Sequence, residues 1–239
     1  TATSNSDANG NGTFHSAVPS GYLSLCSANL EEPTISPNAD TQAVNHFGIL
    51  TYTGDNNARS IRSGATGIGG EIDFKPDWLW TKCRSDAESH RLHDSSRGDN
   101  GTVMYELNSD NTEDNGTDTL VTGFDALGFN IASGGNTPNV SGRTYVAWNW
   151  KANGGTTTTN DASATSIGSQ DSVYQANTTA GFSIVTYTGT GSNDTFAHGV
   201  QVNGVATAPN WIIHKRTDSD QHWVHYHVGI GNTRSVLFN

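Results

Sequence analysis

Cysteine, methionine and positive charge are all scarce in this chain. Its 239 residues hold two cysteines, one methionine, and 12 Lys and Arg against 23 Asp and Glu. Cys26 and Cys83 lie far apart, which allows one disulfide and excludes a disulfide-dense scaffold. The formal net charge of −11 repels phosphate backbones, so nucleic acid is not expected as a partner. No apolar run is long enough to cross a bilayer as a helix, so membrane insertion is not expected. The N-terminus has neither an initiator Met nor a signal-peptide pattern. The chain is therefore expected to be processed or, as the preferred reading, a piece of something longer. The hydrophobic fraction is only 33%, with Gly, Ser, Thr, Asn and Asp making up much of the rest. That mix disfavours long helices and favours turns and strands. Six Trp, seven Tyr and eight Phe still provide bulk for a core.

What is present is a repeat. Phe-Gly-Ile-Leu-Thr-Tyr-Thr-Gly at 47–54 returns as Phe-Ser-Ile-Val-Thr-Tyr-Thr-Gly at 182–189. Lys-Pro-Asp-Trp-Leu-Trp-Thr-Lys at 75–82 returns as Ala-Pro-Asn-Trp-Ile-Ile-His-Lys at 208–215. Self-similarity of this kind identifies the unit of folding. Strands are predicted at 47–53, 78–82, 102–107, 119–122, 128–132 and 143–151, with turn residues between them. Short strands so spaced indicate antiparallel sandwiches. Trp78 and Trp80, matched by Trp211 and Ile213, are expected on a core face because the alternation is repeated. The predicted fold class is all-β, with antiparallel β-sandwich units in tandem and the second unit incomplete in this chain.

The organisation expected is an N-terminal arm or closing element of a preceding sandwich at 1–33 and a linker at 34–45. A first sandwich repeat at 46–152, a Gly/Ser/Thr-rich connector at 153–180 and a partial second repeat at 181–239 follow. Residues 55–70 are polar and Gly-rich and suit a hairpin or surface loop. The second copy stops at Asn239, aligned with Asn108. It has no counterpart of residues 120–151, so it is expected to leave open edges and uncovered apolar faces that further polypeptide or another chain completes.

Residues 73–98 (Asp-Phe-Lys-Pro-Asp-Trp-Leu-Trp through Asp-Ser-Ser-Arg-Gly) resemble the repeat of large virion proteins of marine tailed bacteriophages. So do residues 144–155 (Thr-Tyr-Val-Ala-Trp-Asn-Trp-Lys-Ala-Asn-Gly-Gly) and 181–189. Residues 19–30 look like the join that follows an upstream SPRY or concanavalin-like sandwich in such proteins. His93 stands where an aromatic is more usual. The resemblance implies a tail-fibre-like protein of tandem β-rich units, with other virion proteins and copies of itself as partners in a homotrimer. It implies location in the virion after assembly in the host cytoplasm, and it carries no catalytic residues.

Three clusters invite chemistry. Lys82, Arg84, Asp86, Ser89, His90, Arg91, His93, Asp94 and Arg97 place His near Asp and Ser. A triad is defined by geometry rather than by nearness in sequence. The second copy replaces His90 by Trp223 and Asp94 by His227, so the preferred reading is an ion-paired loop with Asp94 and Arg97 as partners. His222, His225 and His227 form a metal-like group. On a strand, residues 225 and 227 point the same way and, around a trimer axis, could present six imidazoles to one ion; the alternative is a decorated half-buried strand. The loop 110–118 has alternating oxygen donors without calcium-loop spacing and reads as a solvated turn. Among the tryptophans, most are expected in the core, with Trp223 beside His222 as the exposed candidate for sugar stacking.

The function expected is a non-enzymatic adhesion component that uses no cofactor. It would bind a host-surface glycan or protein through Trp223, His222, Lys82, Arg84, His90 and Arg91, with His225 and His227 as candidate metal ligands. The alternatives are a purely structural appendage protein and a glycan-degrading enzyme.

Overall fold

The computed structural model of the chain describes residues 5–24, 29, 43–98, 104, 106–108, 113, 121–134, 138–202 and 204–238. It divides into two compact units, Thr1–Ser36 and Pro37–Asn239. The first is organised by one carboxylate. Asp7 Oδ1 accepts from the backbone N–H groups of Asn9 and Asn11, and Oδ2 accepts from the Ser24 N–H, the Ser24 hydroxyl and Asn29 Nδ2. The Ser24 hydroxyl leads these donors in holding the Asp7 carboxyl well below the usual carboxylate range. Cys26 lies outside the described residues, and Cys83 is a buried free thiol.

The second unit is all-β, as the composition and spacing predict. The first copy contains β1 (Phe47–Thr53), β2 (Arg59–Arg62), β3 (Gly69–Gly70), β4 (Trp78–Cys83), β5 (Arg91–Asp94), β6 (Glu106–Asn108), β7 (Val121–Asp125), β8 (Gly128–Ile131) and β9 (Thr144–Trp150). Six of these form one sheet in the order β3-β1-β9-β4-β5-β6, and β2-β8-β7 form a second. All pairings are antiparallel. The Trp-rich β9 lies in the middle of the large sheet, paired with β1 on one edge and β4 on the other.

Alternation along each strand decides which residues meet between the sheets. Leu50 and Tyr52 on β1, Leu79 and Cys83 on β4, and Tyr145 and Ala147 on β9 pack with Ile61, Val121, Phe124, Phe129 and Ile131 from the small sheet. This is a sandwich core. Residues 55–70 are more than the hairpin or loop their composition suggests. Ile61, the one large apolar side chain in that segment's first half, is fully buried and makes β2 a core strand. β8 lies so close to β2 that a Cβ on Gly128 would meet the Ile61 carbonyl oxygen at 2.0 Å. Only glycine fits there.

The core face is therefore the Leu79 face, not the tryptophan face. Trp78, Trp80, Trp148 and Trp150 project from the opposite side of the large sheet and are half-buried. The stripe alternates as predicted, but the smaller side chains between the indoles fill the sandwich.

The second copy has a hairpin with the same register as one in the first. After β10 (Thr158–Asn160), α1 (Ala162–Thr165), β11 (Ser172–Asn177) and β12 (Phe182–Thr186) come β13 (Gln201–Val202) and β14 (Val205–Ala206). β15 (Trp211–His214), β16 (Trp223–His227) and β17 (Val236–Phe238) close the chain. The β4–β5 pairs Trp78↔Asp94 and Thr81↔Arg91 become Trp211↔His227 and His214↔Val224 between β15 and β16. Even the closing bond is kept: the Ser95 N–H donates to the Asp77 carbonyl, and the Val228 N–H donates to the Asn210 carbonyl. One alignment needs correction. Val224 faces Leu237 as Arg91 faces Asn108, so Leu237, not Asn239, is the counterpart of Asn108. The connection after β16 is shorter than composition matching implies.

The connector at 153–180 carries regular structure of its own. It supplies β10, α1 and β11, and β11 pairs with β12. Its polar residues are satisfied internally. Asp161 caps α1 by accepting from the Ser163 and Ala164 N–H groups, and the buried Ser172 hydroxyl donates to the Ala197 carbonyl at 2.9 Å.

Candidate functional site

The tryptophan face of the large sheet is where polar and aromatic groups meet solvent. Cross-strand register arranges it in rows: Phe47, Trp150, Trp78 and Asp94 in one, and Ile49, Trp148, Trp80 and Leu92 in the next. A third row holds Thr51, Val146 and Lys82. Adjacent aromatic rings are in contact, with centroids 4.8 Å apart for Phe47–Trp150, 4.6 Å for Trp78–Trp150 and 5.5 Å for Trp80–Trp148.

The second copy covers one part of this face. Phe182 stacks on Trp78 at 5.8 Å and on Trp150 at 6.2 Å. Trp223 is buried with Leu92 and Leu107, and Trp78, Trp80 and Ile213 pack against that cluster. Ile49 remains 40% exposed, and Trp148, Trp80, Lys82 and His90 are half-buried. This remaining part is an aromatic shelf edged by one cation and one imidazole.

The imidazole is held by the shelf itself. Trp80 Nε1–H donates to His90 Nδ1 at 2.8 Å, which places the ring proton of neutral His90 on Nε2. Burial, with the nearby Lys82 charge second, pushes the His90 pKa below its ordinary value. Lys82 Nζ donates to the Cys83 carbonyl at 3.0 Å. Flat indole faces suit the apolar face of a pyranose, and a neutral imidazole with an ammonium suits its hydroxyls.

The sequence-predicted residues divide between this shelf and the fold. Lys82 and His90 are on it. Arg91 is not: it projects to the other face and forms an ion pair with the buried Glu106, whose other oxygen lies 3.5 Å from His93 Nε2. Burial raises the Glu106 carboxyl, but His93 and Arg91 outweigh it and hold the group below the usual carboxylate range. Arg84 is exposed beyond the end of β4, where its N–H donates to the Thr144 carbonyl. His222 is exposed ahead of β16. Trp223 is only 5% exposed, so the expectation that it is the open stacking platform is overturned. Its place opposite Leu92 and Leu107 makes it the seal between the two copies.

His225 and His227 share a face of β16, as strand alternation requires. His225 is buried with its ring 6.0 Å from Trp211, and burial lowers its pKa. His227 is exposed, and its Nδ1 accepts from the Gly229 N–H at 3.0 Å. Among the described residues no group of three or more His, Cys, Asp or Glu could hold a metal ion. The expected Asp94–Arg97 pair is present at 2.6 Å, and Arg97 also bonds Glu113. Apart from Glu113, the loop 110–118 lies outside the described residues.

Sequence reasoning missed the polar lock behind the shelf. Asp77 is fully buried: Oδ1 accepts from the Ser95 hydroxyl at 2.7 Å, and Oδ2 accepts from the Ala152 N–H at 2.7 Å and the Gly154 N–H at 2.9 Å. Gln175 on β11 completes it, accepting from the Asn153 and Gly155 N–H groups and donating to the hydroxyls of Ser95 and Ser96. A signal existed, since Pro-Asp at 76–77 recurs as Pro-Asn at 209–210. Asp and Asn both bond nearby backbone through their side chains.

A family model described as a domain of unknown function, DUF7483, matches residues 42–239. No curated protein and no solved structure matches the chain.

Proposed function

The chain belongs to the DUF7483 family, and from that premise we propose that it is a non-enzymatic adhesion component binding a host-surface glycan through the shelf of Trp148, Trp80, Ile49, Lys82 and His90. The observation that carries this is the half-buried Trp80–Trp148 pair flanked by a cation and an imidazole. Flat strand surfaces give weak individual contacts, and several copies strengthen them by avidity. The likeness of residues 73–98 and 144–155 to virion repeats supports placing it in a phage tail fibre or similar appendage, as a homotrimer with other virion proteins around it.

The buried carboxylates support a binding role over hydrolysis. Asp77 accepts three hydrogen bonds from the fold, Glu106 pairs with Arg91, and Asp94 pairs with Arg97. A glycan array probed with the soluble protein tests the reading, alongside reducing-sugar release from host polysaccharide. Binding without release is expected, weakened about tenfold by Trp148→Ala, since loss of one aromatic contact is worth about 1.4 kcal/mol. Release of sugar would refute it.

A second reading is favoured by one observation. The second copy already uses Phe182 and Trp223 to cover part of the same face, which is what a purely structural appendage needs. No glycan retained on the array would select it.

A further inference from the structure

The chain carries a net charge of −11, yet one edge of the aromatic shelf holds a cation that the fold leaves uncompensated. In the first copy the four half-buried arginines each hold a carboxylate: Arg59 with Asp55, Arg91 with Glu106, Arg97 with Asp94 and Glu113, and Arg143 with Asp86 and Glu88. Lys82 holds none. Among the described residues its ammonium bonds only the neutral Cys83 carbonyl, at 3.0 Å. An ammonium has three N–H donors, so two remain for a ligand. Lys151 is the first copy's other half-buried lysine without a carboxylate, and it lies beyond the end of β9 rather than on the shelf.

Strand alternation sets where Lys82 stands. It lies on the indole face two residues after Trp80 and pairs with Val146, which is two residues before Trp148. At about 3.3 Å per residue, its row is roughly 7 Å from the Trp80–Trp148 row. A pyranose lying on the indoles with an acidic group at its rim bridges that step. The other charges at this end of the sheet are Arg84 and Arg143 against Asp86 and Glu88, two of each sign, which leaves the Lys82 charge over.

We infer that the sugar seated on the shelf is anionic: a pyranose bearing a carboxylate or a sulfate, with its apolar face on Trp80 and Trp148 and its acidic group on Lys82 Nζ. This rests on the glycan reading above and names the class of glycan. A neutral sugar leaves a half-buried ammonium with neutral partners only. An acidic one supplies what the fold supplies to each half-buried arginine of the first copy, and charge-assisted bonds are about twice as strong as neutral ones. The net charge of −11 opposes an acidic chain at long range. At physiological ionic strength that field is screened over about 8 Å, whereas a contact at half-buried Lys82 is screened much less.

The test is a glycan array on which each fragment is present as its uronic acid, its carboxyl-reduced neutral form and its sulfated form. It is probed at about 0.15 M salt with the full chain and with Lys82→Met, Lys82→Arg and Arg84→Met. Acidic forms are expected to bind at least about tenfold more tightly than their neutral counterparts. Lys82→Met is expected to remove that preference and leave binding of the neutral forms unchanged, whereas Lys82→Arg retains it. Arg84→Met removes a neighbouring cation that is off the shelf and is expected to change the preference less than about twofold. The preference is a ratio within one protein sample, so a partly unfolded variant does not mimic its loss. Uronate against sulfate binding identifies which acid the shelf takes. Equal retention of neutral and acidic forms overturns the inference and leaves the glycan reading standing. So does an equal loss of preference in Lys82→Met and Arg84→Met, because the general field would then carry it. Retention of no glycan in any form removes the seat itself, and the inference with it.

Discussion

Replacing Asp77 by alanine should be among the most damaging single substitutions in the first copy, and the structure says by how much. The carboxylate satisfies three donors. The Ala152 N–H is buried and finds no substitute, at a cost of about 1–3 kcal/mol. The Ser95 hydroxyl, which already accepts from Gln175, loses a charge-assisted bond worth about 1.5–3 kcal/mol. Gly154 is exposed and can turn its N–H to water. The net loss is roughly 3–5 kcal/mol, partly offset because a buried charge is no longer desolvated. Asp77→Asn should cost only about 1–2 kcal/mol. Its oxygen can face the two backbone donors while its amide donates to the Ser95 hydroxyl, and the second copy carries Asn210 at the matching position. Urea unfolding followed by tryptophan fluorescence reads both variants, because Trp78 and Trp150 flank the lock. With a slope of about 2 kcal/mol per molar, alanine should lower the midpoint by about 2 M. A loss under about 1 kcal/mol for alanine, or an equal loss for alanine and asparagine, would refute the hydrogen-bond argument.

Three further outcomes are expected. Glu106 has a folded carboxyl pKa below its ordinary 4.5, so it contributes stability that is full above that value and is lost as pH falls through it. The urea midpoint of the natural chain should therefore drop between pH 5 and more acid conditions, as flagged by the ordinary carboxylate range of about 4, and Glu106→Gln should flatten that part of the curve. His90 has its pKa pushed below 6.5, so the unfolded chain takes up the proton first and stability declines as pH falls below that value. A histidine ring titration by NMR should find His90 protonating at lower pH than an ordinary histidine, with the Trp80 indole N–H resonance shifting as it does so. Ile61→Ala should cost about 2–5 kcal/mol by cavity formation, despite its setting in a polar, Gly-rich segment, as measured by thermal or urea unfolding.

The tryptophan stripe shows how far local pattern carries. Alternation of Trp78 and Trp80 with Leu79 predicts a strand and two faces, and both are found. Which face is the interior depends on what arrives from 121–131, far along the chain, and a period of two is silent about that. The same limit explains Trp223: its sequence neighbours, His222 and Val224, do not mark it as buried, and only the fold brings Leu92 and Leu107 against it. Lys82 and His90 were legible as a polar pair near a strand end, whereas their partner Trp148 was hidden in a stripe expected to be core. Asp77 and Gln175 gave no periodic signal because a buried polar lock is made of contacts between distant segments.

From residue order alone follow the all-β class, the repeat and its strand spacing, since these rest on alternation, turn residues and self-similarity within short windows. The β4–β5 register and its recurrence in β15–β16 are the clearest case, because equivalent residues impose equivalent pairing. Tertiary structure alone decided that β9 sits between β1 and β4 and that the indoles point away from the sandwich core. Those outcomes depend on which distant segments compete for one face and one sheet edge, and burial and edge pairing are properties of the whole unit.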